Sequence, residues 1–328
     1  MSSGRTPGDE SGTARGAAYR AGFACLVGRP NAGKSTLTNA LVGDKVAITS
    51  SKPQTTRHAI RGISTTATSQ LILVDTPGLH RPRTLLGERL NDLVRSTLLE
   101  VDVVGFCLPA DQRVGPGDQF IGAELADLRR AKRTPIVAIA TKSDLVSRDR
   151  LAQHLVAIDR LSEWDAIIPC SATRGDQVDE VRALLATYLP LSPPLYPEGA
   201  LTDETDTVRI AELVREAALE GVRDELPHSL AVVVDEIVPR EGRAAESPLL
   251  DVRVTVFVER DSQKAIVIGR GGSRLREVGT TARRGIEAIL GSRVHLDLHV
   301  KVAKDWQRDP KQLQRLGCLL YTSPSPRD

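Results

Sequence analysis

Gly28-Arg29-Pro30-Asn31-Ala32-Gly33-Lys34-Ser35 fits G-x-x-x-x-G-K-[ST], the pattern of a loop that cradles phosphate. Its flanks suit that role. Phe23-Ala24-Cys25-Leu26-Val27 before it is an apolar run that predicts a buried strand. Thr36–Val42 after it sets Leu37, Ala40 and Leu41 at helical spacing. Gly28 and Gly33 let successive N–H groups face one concavity, and the new helix adds its positive end. Arg29, Pro30, Asn31, Ala32 and Thr36 complete the expected phosphate site. Lys34 would reach the β- and γ-phosphates, and the Ser35 hydroxyl would ligate Mg²⁺. A glycine turn before an ordinary helix is the bland alternative.

Composition sets the outer bounds. The 328 residues allow one to three domains. Apolar residues make up 41% and charged residues 26%, an ordinary globular balance. The net charge of +2 says nothing about partners until its distribution is read. Cys25, Cys107, Cys170 and Cys318 lie far apart without metal-ligand spacing, and three fall in apolar runs, as buried reduced thiols do. No apolar run has the length of a membrane span. Residues 1–20 lack an apolar core and predict a disordered tail rather than a signal peptide.

Strand-like runs alternate with helical patterns between residues 21 and 190. Strands are expected at 23–27, 59–63, 71–74, 101–108, 136–140 and 166–169, and helices at 34–42, 85–99, 117–132, 149–162 and 176–188. That order predicts an α/β, doubly wound, mostly parallel sheet, whose ligands bind at strand carboxyl ends. Three motifs sit there. Asp75-Thr76-Pro77-Gly78 follows Leu71–Val74; Asp75 can hold Mg²⁺ and the Gly78 N–H can meet a γ-phosphate. Thr141-Lys142-Ser143-Asp144 follows Ile136–Ala140. Asp144 can accept from the N1–H and 2-amino group of guanine, a pair adenine lacks, while the Lys142 stem packs on the base. Ser171-Ala172-Thr173 follows the last strand and can offer a backbone N–H to the guanine O6. Each motif alone also suits a plain turn, and Asp144 could cap a helix. Their order after a phosphate loop gives them weight.

Residues 191–206 carry Pro193, Pro194, Pro197, Asp203, Glu204 and Asp206, a stiff polar linker. Beyond it a smaller α+β unit is expected over 207–317: helix 207–224, strands 229–238 and 249–258, helices 262–268 and 273–290, and strand 293–302. At its centre Ile268-Gly269-Arg270-Gly271-Gly272 is a G-x-x-G turn between helices, followed by Arg274. Glycines there let a sugar-phosphate chain approach a helix start. Residues 260–317 hold thirteen Lys and Arg against six acids, a local charge of +7, as nucleic-acid modules do.

The four ordered motifs resemble the translation-factor-related GTPases. Ser50-Ser51-Lys52-Pro53-Gln54-Thr55-Thr56-Arg57 resembles the Q-T-T-R switch of the Era family, and the second unit resembles a type II KH domain as found there. The resemblance runs from about residue 20 to 317. It implies GTP and GDP as ligands, Mg²⁺ held with help from Thr56, and K⁺ beside the phosphates through Asn31. It also implies binding of 16S ribosomal RNA near its 3′ end during assembly of the small (30S) subunit. A cytoplasmic monomer in peripheral contact with the inner membrane face is implied as well. Lys34, Thr56, Asp75 and Gly78 are the expected catalytic set. Leu79 stands where many GTPases carry a water-orienting Gln, so slow intrinsic turnover is expected. Thr141 replaces the usual Asn of the base-recognition motif, and a lost bridge between loops is expected. Residues 318–328 depart from the family's ending and are given no function.

The leading reading is therefore a GTP-hydrolysing switch with a second, RNA-binding domain. The alternatives are an RNA-binding module with vestigial hydrolysis, and an ATPase or small-molecule kinase sharing the phosphate loop.

Overall fold

The computed structural model describes residues 18–49, 60–79, 85–220, 229–240 and 248–316. The Ser50–Arg57 switch with Thr55 and Thr56, most of the N-terminal tail, and residues 318–328 with Cys318 lie outside the described residues.

Strand β1 (Arg20–Val27) shows how the first sheet is built. Successive side chains of a strand point to opposite faces. Phe23, Cys25 and Val27 accordingly join one core, and Ala24 and Leu26 join another. Both faces are covered, so the strand reads as an unbroken apolar run. Helix α1 (Lys34–Val42) follows, then β2 (Ile60–Thr65) and β3 (Ser69–Asp75). Next come α2 (Leu85–Glu100), β4 (Val103–Pro109), α3 (Pro116–Lys132) and β5 (Ile136–Thr141). Helix α4 (Arg148–Asp159), β6 (Ala166–Pro169) and α5 (Val178–Thr187) complete the unit. The strand order is β2-β3-β1-β4-β5-β6, parallel throughout except for β2 against β3. The expected doubly wound, mostly parallel sheet is therefore present. One boundary moves: Arg20 already pairs with Ser69, so the sheet begins inside the span read as tail.

The proline-rich segment after α5 is strapped to this sheet. Gln70 accepts at Oε1 from the Leu195 and Tyr196 N–H groups, and Ile63 N–H donates to the Leu201 carbonyl. Arg61 pairs with Asp203 at 2.9 Å.

The second unit comprises α6 (Asp206–Leu219), β7 (Ala231–Pro239), β8 (Leu249–Val258), α7 (Asp261–Ile268), α8 (Ser273–Leu290) and β9 (Arg293–Val302). Its sheet order is β7-β8-β9, antiparallel then parallel. Val252, Val254, Val256 and Val258 face α6 and α8 through Ile210, Val214, Ala282 and Ile286. The opposite face was not expected to be apolar. Ala231, Val233 and Phe257 there meet Trp306, Leu313 and Leu316, which in turn meet Leu86 and Leu90 of α2. Helix α9 (Pro310–Arg315), capped by Asp309 accepting from the Lys311 N–H, thus wedges between the two units.

Candidate functional site

The phosphate loop leaves β1 at Gly28 with φ 157°, where a Cβ would sit 2.7 Å from the Cys107 carbonyl oxygen. Only glycine fits. Gly33 takes φ 87° just before α1, a conformation that strains any residue with a Cβ. Arg29 donates from Nε to Asp118 Oδ1 at 2.7 Å. Asp118 is buried at the start of α3, where its other oxygen accepts from the Gly115 N–H. One carboxylate thus anchors the loop to a neighbouring helix. Asn31 holds a left-handed φ of 63°. Lys34 is buried, and its ammonium donates to the Gly28 and Arg29 carbonyls at 3.3 and 3.1 Å. Burial holds its pKa below the usual lysine value, with Asp75 opposing. A cation kept in so little water interacts strongly with any phosphate that enters.

Asp75 ends β3 beside the loop because β1 and β3 pair in parallel, Leu26 opposite Asp75. Ser35 Oγ donates to Asp75 Oδ2 at 2.7 Å. A hydroxyl and a carboxylate in contact fit a hard cation that takes few protein ligands and keeps phosphate oxygens and water for the rest. No cluster of three or more His, Cys, Asp or Glu suited to a metal occurs among the described residues. Thr76 is buried and donates to the Leu26 carbonyl at 3.1 Å. A Cβ on Gly78 would lie 2.8 Å from the Pro30 nitrogen, so the Asp75–Gly78 loop rests on the phosphate loop at Gly78 with no room for a side chain. Leu79 is turned into the core and cannot orient water.

The base-recognition turn follows β5. Lys142 has φ 57° and reaches Asp111 at 3.3 Å. Asp144 sits in the short turn Ser143–Leu145. Its Oδ1 is buried and has no hydrogen-bond partner among the described residues. Ser147, not Asp144, caps α4, accepting from the Arg150 N–H. Ser143 N–H donates to the Cys170 carbonyl, tying this turn to the Ser171–Thr173 loop, where Ser171 Oγ and Thr173 Oγ1 lie 3.3 Å apart beside Ala172. The lost bridge expected at Thr141 is not what the structure holds. Its hydroxyl donates to the Ala32 carbonyl of the phosphate loop at 2.7 Å.

A cleft of about 830 Å³ borders the phosphate loop and Lys142, lined by Asn31, Gly33, Thr36 and Lys142 on one side and by Glu216 and Thr281 of the second unit on the other. Its volume lies within the roughly 300–1,000 Å³ typical of small-molecule sites. Burial pushes the Cys25 and Cys107 thiols up to about 12 and Cys170 up to about 11, which rules out thiolate chemistry at neutral pH.

In the second unit, Ile268 ends α7 and the glycine turn follows. A Cβ on Gly269 would lie 2.8 Å from Arg274 Cβ. Gly271 and Gly272, just after Arg270, take φ 57° and 76°, and a Cβ on either would meet nothing within 4 Å. Packing demands the first glycine, whereas the other two leave open space for a polymer backbone. Arg274, expected at the nucleic acid, also reaches α6. Its guanidinium donates to the Glu220 carbonyl and, at 3.5 Å, to that of Ala218, capping α6. Glu216, missed in the sequence, accepts from the Thr49 N–H at 2.9 Å and from Lys45 at 2.5 Å. No local pattern could have signalled a contact so distant along the chain.

Residues 23–142 match the family described as 50S ribosome-binding GTPase, and residues 225–307 match the KH domain. The chain is 65% identical to GTPase Era of Streptomyces coelicolor over 304 residues, 91% of this chain and 95% of that one. It is 64% identical to GTPase Era of a Nocardioides species over 305 residues, 92% and 96% of the two chains. Among solved structures it resembles Era in complex with MgGDPNP and nucleotides 1506–1542 of 16S ribosomal RNA. The TM-score is 0.87 at 34% identity, covering 92% of this chain and all of the other. A variant of Aquifex aeolicus Era bound to GDP and AlF4⁻ aligns with a TM-score of 0.86 at 35% identity, with the same coverage. Phosphate loop, guanine turn and glycine-rich clamp thus lie on one matched chain, which belongs to the Era family of GTPases.

Proposed function

We propose that this GTPase uses its nucleotide cycle to control binding of the 3′ end of 16S ribosomal RNA, and so assists assembly of the small (30S) ribosomal subunit. The observation that carries the reading is the pairing of a phosphate loop beside a cleft with an open glycine turn in a basic domain, in a chain similar over nearly all its length to an Era bound to such RNA. The proposed division is a GTP-binding domain over 21–190, a linker over 191–206 and an RNA-binding domain over 207–317.

The loop amides of residues 28–36 and Lys34 would hold the phosphates, and Asp144 with Lys142 and the Ser171–Thr173 loop would hold guanine. Ser35, Asp75 and Thr56 would hold Mg²⁺, which neutralises charge on the transferring phosphoryl group. Asn31 would hold K⁺, adding positive charge there. The Gly78 N–H would sense the γ-phosphate. With Leu79 buried, water positioning falls to backbone groups or to a partner. Ile268–Gly272 would clamp the RNA strand, with Arg274 bracing the turn from α6. The family resemblance extends the proposal to a cytoplasmic monomer in peripheral contact with the inner membrane face. No described helix is long and apolar enough to cross a membrane.

GTP turnover measured with and without an RNA of the 16S 3′ end tests the reading. Turnover should rise with RNA, and RNA binding should depend on the nucleotide. RNA binding with no measurable turnover would favour the vestigial-hydrolysis alternative instead.

A further inference from the structure

Two units that share a cleft need a physical connection before one can report on the other. α6 supplies it. Its Glu216 carboxylate accepts from the Thr49 backbone N–H at 2.9 Å through Oε1 and from the Lys45 ammonium at 2.5 Å through Oε2. Both partners lie between α1 and the Ser50–Arg57 segment, on the nucleotide side of the cleft. A turn further on, α6 ends, and its terminal Ala218 and Glu220 carbonyls are held by Arg274. Arg274 belongs to the first turn of α8 and packs so closely on Gly269 that no side chain fits between them. Hydrogen bonds and direct packing therefore run without a gap from Thr49 through Glu216 and the last turn of α6 to the glycine turn.

We propose that Glu216 is the coupling residue of this protein: it links the position of the Lys45–Thr49 segment to the setting of the Gly269–Gly272 clamp. This deepens the proposed function and rests on it. A carboxylate accepting a backbone N–H and an ammonium is sensitive to small shifts, because both bonds are charge-assisted and directional. Movement of the Lys45–Thr49 backbone breaks them or drags α6 along. By linkage the effect is reciprocal, so RNA on the clamp must alter nucleotide affinity by the factor that nucleotide alters RNA affinity.

The test uses the full chain and a fluorescent oligoribonucleotide of the 16S 3′ end, titrated in GDP and in a non-hydrolysable GTP analogue. The wild-type affinities should differ between the two states by at least about fivefold, the lower edge of ordinary coupling. Glu216→Ala should bring the ratio below about twofold, and Lys45→Ala should lower it by about half, since it removes one of the two bonds. Lys45 is exposed, so its variant folds whatever befalls Glu216→Ala. A merely structural role would weaken both states equally and leave the ratio intact. A wild-type ratio retained in both variants overturns the proposal. Equal wild-type affinities in the two states overturn it while leaving RNA binding standing. Absence of RNA binding by the wild type overturns the proposed function and this inference together.

Discussion

Asp144→Asn gives the sharpest trial of the guanine assignment. Asp144 Oδ1 is buried and has no partner among the described residues, so binding guanine costs that atom no existing protein hydrogen bond. Hydrogen bonds to a charged acceptor contribute about 1.5–3 kcal/mol each. Guanine offers two donors, N1–H and the 2-amino group, so the carboxylate contributes about 3–6 kcal/mol in all. An Asn side chain keeps at best one neutral bond and points an amide donor at the 2-amino group. The net loss is about 2–4 kcal/mol, or roughly 30- to 1,000-fold in affinity for GDP. Xanthine carries a 2-carbonyl where guanine carries an amine, so the same amide donor finds an acceptor. Isothermal titration of wild type and variant with GDP and xanthosine diphosphate measures both effects. The expected result is a reversal of preference at an unchanged melting temperature. GDP affinity within about threefold of wild type would refute the assignment, because a loss of that size corresponds to less than one charge-assisted bond.

Three further outcomes follow from the structure. Burial pushes the Glu204 carboxyl up to about 7 from 4.5, with Asp203 and Glu212 adding and Arg61 opposing. The folded state thus keeps a proton that the unfolded chain has lost between those values, and stability falls as pH rises through that window. Glu204→Gln should gain about 1–3 kcal/mol relative to wild type between pH 5 and pH 8 once solvent screening is allowed for, and a gain independent of pH in denaturant unfolding would sink the argument. Trp306→Ala empties a fully buried site in the wedge and removes the indole bond to the Ser229 carbonyl at 3.1 Å; chemical denaturation should show a loss of about 3–5 kcal/mol. Turnover in K⁺ should exceed turnover in Na⁺ if Asn31 holds a monovalent cation, and equal rates would remove that role.

The sequence showed most clearly what is local. The strand, glycine loop and helix around residues 23–42 follow from periodicity and from the backbone freedom of Gly28 and Gly33. Asp75, Asp144 and Ser171 were placed correctly at strand ends because parallel strands carry their loops to one edge. What escaped was tertiary. The Thr141 hydroxyl replaces a longer amide only because the Ala32 carbonyl lies 2.7 Å away, a distance no spacing encodes. Arg274 reads as a cation for nucleic acid, and its contact with the end of α6 has no local signal. Trp306, Leu313 and Leu316 sit in a polar C-terminal run with too few apolar positions to show a period, and they become core only because α2 and the second sheet meet around them.

The wedge and the Glu216 contact, neither foreseen, differ in strength, and the difference sorts their roles. The wedge buries a tryptophan and several leucines between α2 and the outer face of the second sheet. At about 1.5–3 kcal/mol for each large apolar side chain, it is worth several kcal/mol whatever the salt. The Glu216 contact is one charge-assisted backbone bond of about 1.5–3 kcal/mol and an ion pair to a half-exposed lysine worth about 0–1 kcal/mol. Displacement driven from the nucleotide side breaks the weaker contact first. On the proposed coupling, ordering by magnitude predicts that Glu216 yields while α2 and the second sheet stay joined.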